Sequence, residues 1–184
     1  MFKKRRKVNK MVSIALALVI LITAVVIKLP DGSSEVEAIG VPRIEFKGHI
    51  QNLGDRDGDY NNNNHISTVG TTGHSLRLEA IKVGFKNWDK GGSISVQAFT
   101  QYNVLKAAVG SNDNLSPYCG TTGDSTALYK VRLHLYGNIA NSYTLKYRVH
   151  SQDVGWSDWY TDGFIGTDGK RIEAVQAKLV WDPK

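Results

Sequence analysis

The stretch Gly70-Thr71-Thr72-Gly73-His74-Ser75-Leu76-Arg77-Leu78-Glu79-Ala80-Ile81-Lys82-Val83-Gly84-Phe85 occurs three times in different states of repair. Fifty residues on, Gly120-Thr121-Thr122-Gly123-Asp124-Ser125 leads into Leu128-Tyr129-Lys130-Val131-Arg132-Leu133. Near the end, Gly166-Thr167-Asp168-Gly169-Lys170-Arg171-Ile172-Glu173-Ala174-Val175 repeats it with a turn two residues shorter. Each copy is a Gly-rich polar turn running into an apolar segment. Self-similarity at a fixed period sets the architecture before any local propensity does.

Working outward, each turn has a partner upstream. Ile44-Glu45-Phe46-Lys47-Gly48-His49-Ile50-Gln51 opens the first unit and Ile94-Ser95-Val96-Gln97-Ala98-Phe99-Thr100-Gln101 the second. Gln51 and Gln101 are offset by the same fifty residues as Gly70 and Gly120. Leu145-Lys146-Tyr147-Arg148-Val149-His150-Ser151-Gln152 opens the third, with His150 on His49 and Gln152 on Gln51. The units run over about 44–85, 94–135 and 145–181. Alternating apolar residues with turn signals between them read as short strands, and no segment after residue 30 carries a helical period. The class is therefore all-β. One unit cannot bury its own apolar face, so three units of about 45–50 residues predict a closed pseudo-threefold body. A β-prism and a β-trefoil both satisfy this, and the hairpin-like pairs favour the prism. In each closing segment the apolar phase slips, from Leu76, Leu78 and Ala80 to Ile81, Val83 and Phe85 in the first. A bulge, or a strand leaving one packed face for another, produces such a slip.

The N-terminus has a different character. Lys3, Lys4, Arg5, Arg6, Lys7 and Lys10 precede an apolar run from Met11 to Ile27, and Val36-Glu37-Ala38 offers small residues at a cut. Residues 1–38 read as a secretory signal peptide, with an uncleaved membrane anchor as the alternative. Either way residues 39–184, a single domain, are expected outside the membrane, secreted or tethered to the surface. The chain has 23 basic and 17 acidic residues. Seven of the basic residues lie in residues 1–30, which hold no acid, leaving sixteen against seventeen. The basic balance is thus a targeting charge, and a nucleic-acid partner loses its main support. Cys119 is the single cysteine, so no intramolecular disulfide forms and the core must suffice.

The residues Tyr147-Arg148-Val149-His150, Gln152-Asp153-Val154-Gly155-Trp156, Trp159-Tyr160-Thr161-Asp162-Gly163 and Arg171-Ile172-Glu173-Ala174-Val175 resemble the clostridial hydrophobic repeat with a Gly-Trp dipeptide, the ChW repeat. The first unit is similar through Gly48 to Gly54 and Gly70 to Ile81, the second through its turn and apolar pattern alone. The resemblance implies a secreted or surface protein of a Gram-positive bacterium, with the repeats as binding or adhesion modules. It implies no catalytic residues. Asp55 stands where the tryptophan belongs in the first unit, and the second has no Gly-Trp.

Three constellations are candidates for chemistry. Trp156, Trp159, Tyr160 and Asp162 lie within seven residues, and aromatic faces with nearby carboxylates are one way to build a glycan site. As large apolar groups they are equally suited to fill a core, which is the favoured reading for Trp156. Asp55, Asp57 and Asp59 place hard oxygen ligands at alternate positions, as Ca²⁺ takes them, but the downstream bidentate acid is missing and a solvated turn-rich loop is favoured. Arg77 with Glu79, and Arg171 with Glu173, recur at one spacing and read as a structural clasp. No metal-ligand or Glu-neighbour pattern surrounds His49, His65, His74, His134 or His150, and no nucleophile elbow or phosphate loop is present. The expectation is a non-catalytic module without a required cofactor that binds polysaccharide or a surface protein. The alternative is an assembly protein joined through apolar strand edges. A small secreted hydrolase ranks third.

Overall fold

A computed structural model describes residues 40–184. The expected signal or anchor segment, residues 1–38, lies outside the described residues. β1 (Arg43–Ile50) and β5 (Leu78–Lys86) form the first long antiparallel pair, β6 (Ser93–Thr100) and β9 (Leu128–Tyr136) the second, and β10 (Tyr143–Ser151) and β12 (Ile172–Trp181) the third. Shorter strands lie between: β2 (Gly54–Asp57), β3 (Asp59–Asn61), β4 (Ile66–Gly70), β7 (Leu105–Ser111), β8 (Cys119–Gly120) and β11 (Gly155–Trp156). One short helix, α1 (Asn138–Ser142), joins β9 to β10. The protein is all-β, in three sheets of order β2-β1-β5-β8, β11-β10-β12-β4-β3 and β7-β6-β9.

Strict alternation builds the opening strands. Ile44, Phe46 and Ile50 of β1 are buried while Arg43, Glu45, Lys47 and His49 face outward; β6 and β10 repeat the pattern. The phase slip in the closing strands is a bulge. His49 pairs Ala80 and Ile50 pairs Leu78, so Glu79 is the extra residue. Likewise Tyr129 is skipped between the partners of Thr100 and Phe99, and Glu173 between those of Ser151 and His150. One inserted residue sends Leu78, Ile81, Val83 and Phe85 all inward. Residues 39–184 form one compact unit, and its buried apolar residues make one contiguous cluster.

The Gly-rich turns do not stay with their own strand pairs. β4 pairs β12, with Gly70 opposite Ala174. β8 pairs β5, with Gly120 opposite Ala80, and Ile165 bridges Val131 of β9. Gly70 (φ 101°) and Gly166 (φ 151°) sit so close to the backbone oxygens of Glu173 and Tyr129 that a Cβ has no room. Thr71 N–H then donates to Glu173 O at 3.0 Å and Thr121 N–H to Glu79 O at 3.1 Å.

Two expectations are corrected here. Trp156 is half-buried on the outside of its sheet and is not a core residue; Trp88 is the tryptophan in the core, its Nε1–H donating to Gly91 O at 2.9 Å. Cys119 lies on β8 rather than in a turn, fully buried, and burial pushes its thiol up to about 12.

Candidate functional site

Four of the residues on the outer face of the third strand pair stack on one another. Val154 N–H donating to Ser151 O at 3.1 Å, with Asp153 (φ 61°) and Gly155 (φ 90°) in left-handed backbone, reverses the chain after β10. Trp156 therefore falls opposite His150, ring to ring at 5.3 Å and nearly perpendicular. Tyr160 then exchanges backbone hydrogen bonds with Tyr147 at 2.8 and 2.9 Å, and this tie keeps the next tryptophan beside β10. The Arg148 guanidinium lies over both indoles, 4.9 Å from the Trp156 centroid and 4.6 Å from that of Trp159. Lys178 Nζ lies over Trp159 at 4.5 Å. The result is a ladder of indole, guanidinium, indole and ammonium across β11, β10 and β12.

The ladder is anchored from below. Arg148 Nε donates to Gln176 Oε1 at 2.9 Å, and Gln176 Nε2 to Thr68 Oγ1 at 3.1 Å. Burial lowers the Arg148 pKa somewhat, yet a guanidinium stays charged near neutrality. Cation–π contacts of this kind contribute about 0.5–1 kcal/mol each at partly exposed sites. They also restrict long, floppy side chains, so the charges stand in fixed places.

The other two residues of the aromatic run do not join this ladder. Tyr160 is exposed, on a small concavity of about 200 Å³ shared with Val149, Phe164 and Thr167. Asp162 reaches the second strand pair instead: Arg132 donates to its two carboxylate oxygens at 2.8 and 3.2 Å, and His134 Nδ1 is 3.7 Å away. The Arg132 hydrogen bond holds the Asp162 carboxyl below the usual aspartate range. Its acceptor capacity is spent on tying the 157–166 segment to β9.

The expected Ca²⁺ loop is corrected. Residues 54–57 and 59–61 are strands, and an extended backbone separates the carboxylates rather than wrapping them round one point. Asp55 meets His49 Nδ1 at 2.7 Å, a hydrogen bond that is the largest cause of its lowered pKa, and Asp57 lies 3.6 Å from Lys47 Nζ. Among the described residues no group of three or more His, Cys, Asp or Glu side chains is placed to hold a metal.

The Arg and Glu side chains meet at the bulges. Arg77 Nε donates to Glu79 Oε1 at 2.8 Å and Arg171 Nη2 to Glu173 Oε1 at 3.1 Å. Both glutamates are 4% exposed. Arg171 also donates to Ser75 O at 2.8 Å, bonding the third closing strand to the first Gly-rich turn. Histidines join from across the strands, His150 Nδ1 at 3.3 Å from Glu173 and His49 Nε2 at 3.9 Å from Glu79. Sequence reasoning missed these histidines because it looked for neighbours along the chain; the register of Gln51 on Gln152 was the signal that would have aligned them. A roomier concavity of about 380 Å³ lies at β1 and β3. It is lined by side chains that satisfy each other, Lys86 with Glu45 at 3.0 Å and Arg43 over Tyr60 at 5.1 Å.

Residues 49–87 match the family model described as Clostridial hydrophobic W. The matched stretch runs from His49 on β1 through the first bulge to the end of β5. No curated protein and no solved structure matches the chain.

Proposed function

We propose that this protein is a non-catalytic binding or adhesion module, secreted or held at the cell surface of a Gram-positive bacterium, which engages polysaccharide through the outer face of β10, β11 and β12. The observation that carries the reading is the Trp156–Arg148–Trp159–Lys178 ladder. Indole edges and faces cover apolar sugar surface, and fixed cationic donors take hydroxyl or carboxylate oxygens. No nucleophile with an adjacent base accompanies it. The ChW stretch and the basic, then apolar, N-terminal sequence point the same way for location.

The scaffold we infer is three copies of one unit in a pseudo-threefold, prism-like body. Its support is the bulge at one place in each long strand pair and the passage of each Gly-rich turn onto another unit's closing strand. The test of function is retention on a panel of wall and extracellular polysaccharides by the full chain and by Trp159→Ala. Retention that falls at least about tenfold in the variant supports the site, since partly buried aromatic anchors carry that much. Retention equal in both removes it.

One observation favours assembly with further copies or another surface protein as a second reading. In the first and third hairpins the outer strand is blunt: Gly54-Asp55-Arg56-Asp57, or Gly155-Trp156 alone. In the second it is the seven-residue β7 at a sheet edge, with Leu105 and Val109 exposed. Long apolar edges are templates for another strand. A mass that rises with concentration, and stays monomeric in Val109→Lys, would favour this reading.

A further inference from the structure

The outer face of β10 and β12 holds a contact that works against folding. Lys146 and Lys178 are direct partners across the strand pair, and like charges directly opposite are destabilising. Neither lysine makes a salt bridge among the described residues, nor does Arg148 between them and the bulge. The same place in the other long pairs holds Glu45 opposite Gly84 and Ser95 opposite His134. Composition does not force the clustering, because the chain beyond residue 30 has one more acid than base. Elsewhere the cations are partnered, as in Lys47 with Asp57, Lys130 with Asp168 and Lys170 with Asp153. The nearby acids are otherwise placed: Asp182 accepts from the Thr144 hydroxyl, and Asp59 lies at the far end of the row beyond Gln176 and Thr68.

The three cations are also held in place. Gln176 fixes Arg148, and the indole of Trp159 carries Arg148 on one contact and Lys178 on another. Arg148 and Lys146 are two residues apart on one strand face, about 7 Å. Charges spread along a strand at that spacing suit an extended polyanion better than a single small ion.

We propose that the ligand of this face is an acidic polysaccharide, its carboxylates seated between Lys146, Arg148 and Lys178 and its sugar rings against the uncovered parts of Trp156 and Trp159. The proposal rests on the polysaccharide reading above and specifies its charge. The ligand's anions replace the missing partners of the opposed lysines, so part of the binding energy is the relief of their repulsion.

The experiment titrates the full chain with polygalacturonate, its fully methyl-esterified form, a neutral glucan and single-stranded oligothymidylate, and repeats it with Lys146→Gln/Lys178→Gln. The expected result is binding to polygalacturonate alone, weakened by added salt and reduced about tenfold per lysine removed. The unliganded double variant should melt at or above the parent temperature, since a repulsion has gone. Equal binding of the acid and its methyl ester, or binding of the neutral glucan only, overturns the acidic ligand and leaves the polysaccharide reading standing. Binding to none of the three glycans overturns both. Oligothymidylate binding as tight as polygalacturonate, or undiminished binding in the double variant, overturns the proposal outright.

Discussion

At the residue scale, the buried bulge glutamates and the Asp162 tie make opposite demands. Glu79 is 4% exposed and its carboxylate is matched by Arg77 at 2.8 Å. Glu79→Ala leaves the arginine beside a vacated, desolvated spot, and breaking such a pair costs about 3 kcal/mol. Glu79→Gln keeps an acceptor and should cost less; urea unfolding midpoints at constant slope separate the two. Asp162 is more exposed, and its effect is a matter of pH. Its carboxyl is held below the ordinary range by Arg132, so its native pKa lies under its unfolded one. The stabilisation is complete above about pH 4 and fades as pH falls through the lowered native value. The melting-temperature gap between the parent and Asp162→Asn should therefore narrow between neutral and acid pH. A gap independent of pH would show that the ion pair contributes nothing.

At the element scale, the Gly-rich turns are junctions. Gly166 (φ 151°) lies against Tyr129 O, and Gly54 (φ 68°) has no neighbouring atom where a Cβ would go. Gly166→Ala must therefore push two strands apart, at a cost of about 3 kcal/mol or more, whereas Gly54→Ala carries only the left-handed penalty of about 1 kcal/mol. Thermal melts of the two variants check this, and equal losses would refute the junction. Much of this was legible in sequence. The period of the Gly-Thr turns predicted repeated strand pairs, and the slip from Leu78 to Ile81 predicted the bulge at Glu79. What was not legible is where the turns go, because Gly70 meeting Ala174 is a contact across a hundred residues. The same limit explains the candidate site. Trp156 and Trp159 were visible as a pair, but Arg148 and Lys178 join them only through strand register. Tyr160 and Asp162 were grouped with them by proximity along the chain, and the backbone tie of Tyr160 to Tyr147 turns them elsewhere.

At the scale of the whole molecule, exchanged pairing binds the units into one. β4 of the first unit completes the sheet of the third, and Ile165 of the third bridges the second. A linear repeat array sheds terminal units gradually; this arrangement has no terminal unit to shed. Calorimetry should show one transition with equal calorimetric and van't Hoff enthalpies. A chain ending at Tyr136 should be unfolded, because β4 then lacks β12 and β9 lacks its bridge to Ile165. A cooperative melt in the shortened chain would contradict the interlocked body.

The central claim is that the ladder face of β10 to β12 is where a polysaccharide binds. Amide hydrogen exchange of the full chain, with and without a bound acidic glycan, tests it most directly. The account predicts added protection confined to residues 145–160 and 172–181. Protection centred on β7, or unchanged exchange across the ladder with glycan bound, would contradict it.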